Sequence, residues 1–439
     1  MHQADILARH AWSEDERLDL YADPQRSEEA IGDFAGADAA RGFRAMRAEA
    51  AHIFDILDAD LLRKGKVHWP PQFLWRIGLS RFRELSAVRP YESLWKVLGE
   101  HFADPRLRQL YGRYATYCGS SPFEAPATLM LIAHVEAMGV WLIDGGMAAL
   151  AKALQTIGEK QGAAYRFGAA VSQIEISRGR ASGVILADGE RIEADQVIVN
   201  ADPAALTAGA FGEDARKAVR PIKPQARSLS ALVWLVNAKT EGFPLDRHNV
   251  FFSADYEREF ADMANGHPPE DPTAYVCAID RGGTFGTLPD GRERLQIIVN
   301  APANGDTHDY SSEERERCTT AMRASLARGG LQLEEPFAHR LLTPNEFAEF
   351  LPSTGGAIYG RVSHGWAASF LRQGTRTRIP GVYCAGGSTH PGAGVPMAAL
   401  SGQLAARTVM QDLASTRRFL PAGMAGGMSM RSAMTGSTR

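Results

Sequence analysis

Residues 383–402, YCAGGSTHPGAGVPMAALSG, constrain this chain more than any other stretch. They hold too many glycines for a buried strand and too many prolines for a helix, yet they run straight into an apolar, helical pattern. With their flanks they read as a strand at Val382, Tyr383 and Cys384, a glycine turn, and a helix from about Pro396. Proline suits a first helical turn, where its missing N–H has no partner to lose. A helix N-terminus points unpaired N–H groups and the positive end of its dipole outward, so it attracts negative charge. Gly386, Gly387, Gly392 and Gly394 have no side chain to hold a large flat ligand away from the main chain. A tight turn without a ligand explains two or three such glycines. Four, with Thr389, His390 and Pro391 between them, point to a ligand.

The rest of the chain alternates helical and strand-forming blocks. In 35–66, Phe43, Met46, Ala50, Ile53, Phe54, Ile56 and Leu57 recur at helical spacing and predict an amphipathic helix. A second helical stretch, 90–119, is broken at Pro105. A third enters on Gly145 and Gly146, exits at Gly162, and sets Met147, Leu150, Ala151, Leu154 and Ile157 on one face. In 169–203, short apolar runs alternate with the turn dipeptides Arg178-Gly179 and Asp188-Gly189, which predicts a three-stranded meander. Its last run, Val197, Ile198 and Val199, is uniformly apolar, as expected of a strand buried on both faces. SLSALVWLVNA, AYVCAID and RLQIIVNAP predict a second sheet, and EERERCTTAMRASLARGG an exposed helix with solvated charges. The Gly-, Ser- and Met-rich tail from Phe419 is aperiodic and predicts disorder. The architecture is therefore α/β, with one mostly parallel sheet and one antiparallel sheet under helical cover.

Composition excludes several classes. A length of 439 residues suggests two or three domains. Lys plus Arg (48) nearly balance Asp plus Glu (51), so nothing electrostatic favours nucleic acid. Cys118, Cys277, Cys318 and Cys384 show no C-x-x-C spacing, which argues against metal ligation or a disulfide framework and suits a reducing cytoplasm. The first residues lack a basic start followed by an apolar core, so no signal peptide is expected. No run reaches the ~18 apolar residues of a membrane span.

Residues 381–401 resemble, position by position, the C-terminal signature of the bacterial phytoene-desaturase family, the FAD-dependent carotenoid desaturases. GVWLIDGGMAALAKAL (139–154) is similar to the family's glycine-pair segment against the flavin. ADQVIVNADP (194–203) is similar to the strand that returns to the FAD-binding sheet. YATYCGSSPFEAPATLMLIAHVEAMGVW (114–141) resembles the substrate-domain helices, and its EAPA and GVW…GGM point to the hydroxyneurosporene (1-hydroxycarotenoid 3,4-) desaturase branch. The resemblance implies an incomplete FAD-binding, Rossmann-like domain of glutathione-reductase type, built from 141–210 and 351–418. A substrate domain would take 1–140 and 211–350, and the tail 419–439. The implied activity is desaturation of a hydrophobic carotenoid in carotenoid biosynthesis. Rival readings are a phytoene desaturase, a carotenoid isomerase, an inactive remnant or a carotenoid-binding protein; a flavin amine oxidase matches the middle sheet and THPGAG less well.

One departure matters. Members of such families resemble one another in an early strand, G-x-G-x-x-G turn and helix. This chain contains no G-x-G-x-x-G; GAGVPM (392–397) lacks the third glycine and belongs to the other motif. HQADILARHAWSEDERLDLYADP reads as a segment lying after such a unit. The expectation is that the pyrophosphate and adenosine of FAD lose their seat, and that this chain holds FAD weakly or not at all.

The candidate flavin contacts are Gly386, Gly387, Thr389, Gly392, Gly394 and Val395, with Gly145, Gly146 and Met147 on another side. By resemblance, the backbone of Val171 meets the adenine, and Asn200, Ala201 and Asp202 lie near the dinucleotide. His390 is the titratable side chain inside the motif and the candidate for proton transfer, its plainer role being a hydrogen-bonded loop histidine. His364 and Glu124 are further candidates. HWPPQFLWRIGLSRFREL (68–85) mixes aromatics with Arg76, Arg81 and Arg83, which suits either a core helix or one lying on the inner face of a membrane.

Overall fold

The structure is a computed structural model that describes residues 1–58, 62–64, 88–283, 288, 290–335, 337–366 and 368–419. The helix expected over 68–85 and the tail beyond Phe419 lie outside these residues.

Strands β1 (Ile6–Ala11) and β2 (Arg17–Tyr21) form an antiparallel pair near the start. Asp23 then caps α1 (Pro24–Ala35), its carboxylate accepting from Gln25 N at 2.8 Å. α2 (Ala37–Leu57) realises the predicted spacing, burying Phe43, Met46, Ala50, Ile53, Ile56 and Leu57. Pro105 does split the next stretch, into α3 (Leu94–His101) and α4 (Pro105–Gly112), capped by Ser93 and Asp104. A proline that cannot continue one helix can begin another. With α5 (Leu131–Ala137) these helices enclose a core around Met46, Ile53, Leu94, Leu98, Phe102 and Leu107.

α6 (Gly146–Lys160) follows, then the meander β3 (Val171–Ser177), β4 (Arg180–Leu186) and β5 (Arg191–Glu193), antiparallel throughout. Arg178 and Gly179 turn it with φ of 52° and 76°, the paired positive values of a tight hairpin. β6 (Val197–Val199) leads to α7 (Pro203–Ala208).

The second sheet is larger than its three predicted strands. β7 (Ser230–Ala238), β8 (His248–Phe251), β9 (Ala274–Ala278), β10 (Glu293–Ala301) and β11 (Ala338–Leu342) join β1 and β2 in the order β11-β7-β10-β9-β8-β1-β2. Every junction is antiparallel except β8 with β1, which aligns Asn249 with Arg9 and Phe251 with Ala11. Leu295, Ile297, Val299 and Ala301 alternate onto one face of β10, and α8 (Ser312–Arg328) covers that face. The expectation of an exposed helix is corrected here. α8 buries Cys318, Thr319, Met322, Ser325 and Leu326, because an apolar sheet face needs a covering layer and α8 supplies it.

β12 (Val382–Cys384) runs parallel to β6, pairing Val382 with Val197 and Cys384 with Val199, and α9 (Val395–Phe419) follows. One expectation fails at this end. Among the described residues the parallel sheet holds these two strands, and Ile198, expected to be buried, is 48% exposed. Val197 and Val199 alternate onto the face that packs on the core, while Ile198 points to the opposite face, which no layer among the described residues covers. α6 likewise forms as predicted, but none of its residues is buried; Leu154 and Ile157 are 59% and 58% exposed. Its apolar face has no partner to pack on among the described residues. No helix among them is long and apolar enough to cross a membrane.

Two histidines of the large sheet work against stability in acid. Burial lowers the pKa of His10 on β1 to about 3 and of His248 on β8 to about 4. An unfolded histidine takes its proton near 6.5, so each contributes a loss of stability as pH falls below that value. Glu259, whose carboxyl burial raises to about 7, contributes in the opposite direction. His10→Gln removes one of the losses, so its urea midpoint at pH 5 relative to pH 7 is expected to be higher than that of the unmodified chain; the same pH dependence in both proteins contradicts this.

Candidate functional site

The turn between β12 and α9 is tied down from behind. Thr389 and Ser401 are fully buried with their hydroxyls 2.8 Å apart. Thr389 Oγ1 donates to Gly386 O at 2.7 Å, and Gly386 N donates to Ser401 Oγ at 3.1 Å. Two hydroxyls thus staple the turn to the body of the helix. Arg372 lies beneath it, its buried guanidinium donating to the carbonyls of Arg361 (2.7 Å), Tyr359 (2.8 Å) and Gly387 (3.4 Å). Burial draws its pKa downward, yet a guanidinium keeps its charge at any ordinary pH.

The glycines of the turn divide by cause. Gly386, Gly392 and Gly394 have φ of 113°, 146° and 102°, which side chains disfavour whatever the space. A Cβ on Gly386 would also strike Oδ1 of Asn200. Gly387 is different: its φ lies outside that region, and no atom comes within 4 Å of where its Cβ would stand. Nothing among the described residues requires Gly387 to be bare. Gly394 likewise faces open space.

β6 delivers Asn200, Ala201 and Asp202 to the same place. Asp202 Oδ1 caps α7 through Ala204 N at 2.8 Å, while its buried Oδ2 has no hydrogen-bond partner among the described residues. A Cβ placed on Gly360 would lie 3.0 Å from that oxygen and 2.8 Å from Cβ of Ser388, so strand end and turn meet there. Buried carboxylate oxygens ordinarily have a donor.

His390 is buried. Its N donates to Gln373 O at 2.7 Å, and its Nε2 lies 3.2 Å from Lys64 O. A carbonyl can only accept, so Nε2 carries the hydrogen. His364 and Glu124 come together, Nδ1 to Oε2 at 3.1 Å, while His364 Nε2 accepts from Ser121 N at 3.1 Å. Burial lowers the pKa of His364 against the pull of Glu124. Both ring nitrogens are engaged, which suits structure better than proton transfer. Val395 opens α9, exposed, with no acidic residue in the first turn. Gly145 is the left-handed cap of α6 at φ 82°, Gly146 and Met147 begin that helix, and Val171 begins β3. The fold thus joins 200–202 to 386–389 and leaves 145–147 and 171 on separate elements. The sequence does not single out Arg372 or Ser401, since no periodicity marks a residue that acts only after a loop folds over it.

The Flavin containing amine oxidoreductase family matches residues 83–410. Over 434 residues the chain is 48% identical to a hydroxyneurosporene desaturase of Rubrivivax gelatinosus, covering 98% of this chain and 82% of that one. A hydroxyneurosporene desaturase of Cereibacter sphaeroides is 44% identical over 94% of this chain and 82% of its own. This chain belongs to the carotenoid desaturases of that flavin-containing family. A 1-hydroxycarotenoid 3,4-desaturase of Flavobacterium sp. is 32% identical over 70% of this chain and 62% of its own. Among solved structures, a putrescine oxidase variant matches with a TM-score of 0.55 at 15% identity, over 94% of this chain and 82% of that one, a likeness of fold. The chain is an FAD-dependent oxidoreductase by family. Its residues fit the flat end of that cofactor: open space at Gly387 and Gly394, an unpartnered Asp202 oxygen, and positive charge from Arg372 behind the turn. For the diphosphate end, the 439 residues contain no G-x-G-x-x-G.

Proposed function

We propose that this chain desaturates a hydroxylated, acyclic carotenoid, taking a hydride and a proton from neighbouring carbons beside the polyene. The 48% identity to a hydroxyneurosporene desaturase, sustained over 98% of the chain, carries this reading. The flavin, when bound, accepts the hydride. The chain's own residues supply position and charge. Gly386, Gly387, Thr389, Gly392, Gly394 and Val395 form the bed for the ring, stapled by Ser401. Arg372 and the N-terminus of α9 favour negative charge arriving on the open side of the turn. Asp202 offers Oδ2 to a donor on the cofactor, with Asn200 and Ala201 beside it. Gly145, Gly146, Met147 and Val171 are further cofactor contacts on this reading. His390, bound to the Lys64 carbonyl, holds the turn in place. A contact with a membrane surface through 68–85 would deliver so apolar a substrate, and liposome flotation tests it.

The test of the activity is a product. With FAD in large excess, to offset weak binding, and 1-hydroxyneurosporene, the chain is expected to yield a carotenoid two hydrogens lighter, absorbing at longer wavelength. A product of unchanged mass would mean isomerisation, and conversion of phytoene alone would place the activity in the phytoene branch.

A further inference from the structure

The seven-stranded sheet has a second face, away from α8. Against it lies a cavity of about 320 Å³ whose wall is partly apolar, through Leu7, Val140, Val250 and Ile298. The remainder of the wall is polar. Glu136 accepts from Tyr114 Oη at 2.5 Å and, more distantly, from Tyr117 Oη at 3.4 Å. Arg113 donates to Tyr117 Oη at 3.0 Å, and its guanidinium stands over the Tyr117 and Tyr275 rings at 5.1 and 5.6 Å. His248 uses Nδ1 on Tyr275 Oη at 2.7 Å. Burial raises the Glu136 pKa and lowers that of His248 to about 4, so His248 stays neutral and keeps a second ring nitrogen for another partner.

Hydrogen-bonding capacity is left over here. Asn300 lines the cavity, and its side chain makes no hydrogen bond within the described residues. Tyr111 Oη is buried without a partner and lines a small adjoining space that shares Leu7 and Glu136 with the first. A wholly apolar occupant would leave these groups unsatisfied, at ~1–3 kcal/mol for each one desolvated. A hydroxyl, which donates one hydrogen bond and accepts others, would satisfy them.

The cavity adjoins the glycine turn. Tyr359 lines it, and Arg372 binds the Tyr359 carbonyl at 2.8 Å and the Gly387 carbonyl at 3.4 Å. In a 1-hydroxycarotenoid desaturated between carbons 3 and 4, only carbon 2 separates the carbinol carbon from the nearer reacting carbon. A hydroxyl site must therefore lie on the side of the flavin ring's bed, and Tyr359 and Arg372 link this cavity to that bed. We propose that the Glu136–Tyr117–Arg113 network, with His248 and Asn300, binds the tertiary hydroxyl of the substrate and so selects hydroxylated over unhydroxylated carotenoids. This rests on the desaturase reading.

Binding of 1-hydroxyneurosporene and of neurosporene to the purified 439-residue chain, presented in mild detergent and followed by quenching of tryptophan fluorescence, tests it. The hydroxylated polyene is expected to bind at least ~10-fold more tightly, as one satisfied polar group allows. Asn300→Leu and His248→Phe, which leave the Arg113–Tyr117–Glu136 network intact, are expected to bring the two affinities within ~3-fold by weakening the hydroxylated ligand alone. Equal binding of both polyenes to the unmodified chain, or variants that keep the preference, would overturn the hydroxyl site and leave the desaturase reading standing. Failure to bind either polyene would overturn both.

Discussion

Fusing a strand, G-x-G-x-x-G turn and helix ahead of residue 1 is expected to raise the FAD affinity of this chain by ~100- to ~10,000-fold. Such a unit offers a diphosphate two hydrogen bonds from main-chain N–H groups at a helix N-terminus. Hydrogen bonds to charged groups contribute ~1.5–3 kcal/mol each, and each ~1.4 kcal/mol is a decade in affinity. The second edge of β6 has no partner among the described residues, and Ile198, Leu154 and Ile157 keep apolar surface in water beside it or on α6. Covering that surface should also raise the unfolding midpoint before any flavin is added. Equilibrium dialysis with FAD, on the chain with and without the unit, measures the difference. Stoichiometric flavin in the unfused chain would contradict the expectation, because the ring's bed would then suffice alone.

The second large effect is expected at Gly387. In the fused chain, Gly387→Leu should lower FAD affinity by roughly ten- to a hundredfold while shifting folding stability by less than ~0.5 kcal/mol. The added side chain meets no atom of this protein within 4 Å at its Cβ, and no left-handed φ forbids it. It does intrude on whatever rests against the turn, and overpacking costs ~1–3 kcal/mol. Gly394→Ala is the contrast. At a φ of 102° it should lose ~1–2 kcal/mol of stability through the backbone alone. Urea midpoints on the flavin-free proteins, set beside dissociation constants from flavin fluorescence, separate the two causes. Unchanged FAD binding by Gly387→Leu would mean that the ring rests elsewhere.

Helix and strand were legible wherever local periodicity coincides with burial. The spacing of Phe43, Met46, Ala50 and Ile53 became the buried stripe of α2, and Pro105 marked a real boundary. Arg178-Gly179 turned a hairpin, as its chemistry dictates. Reading failed where a pattern needs a distant partner. Val197, Ile198 and Val199 look like a strand buried on both sides, but burial needs a layer on each face, and none among the described residues covers the face of Ile198. The α8 sequence is so charged that its apolar stripe of Cys318, Met322 and Leu326 was hidden until the sheet appeared beneath it.

The sequence by itself determined the bare turn ahead of α9, the flavin-binding family and the positions of Gly386, Gly387, Gly392 and Gly394. These rest on local backbone chemistry and on a motif of adjacent residues. Only the tertiary structure decided which of those glycines the backbone requires and which faces open space. It alone brought Arg372 beneath Gly387, Ser401 onto Thr389 and β1 beside β8. Such contacts join residues far apart in the chain, and whether they form depends on the packing of whole layers, which no local pattern encodes.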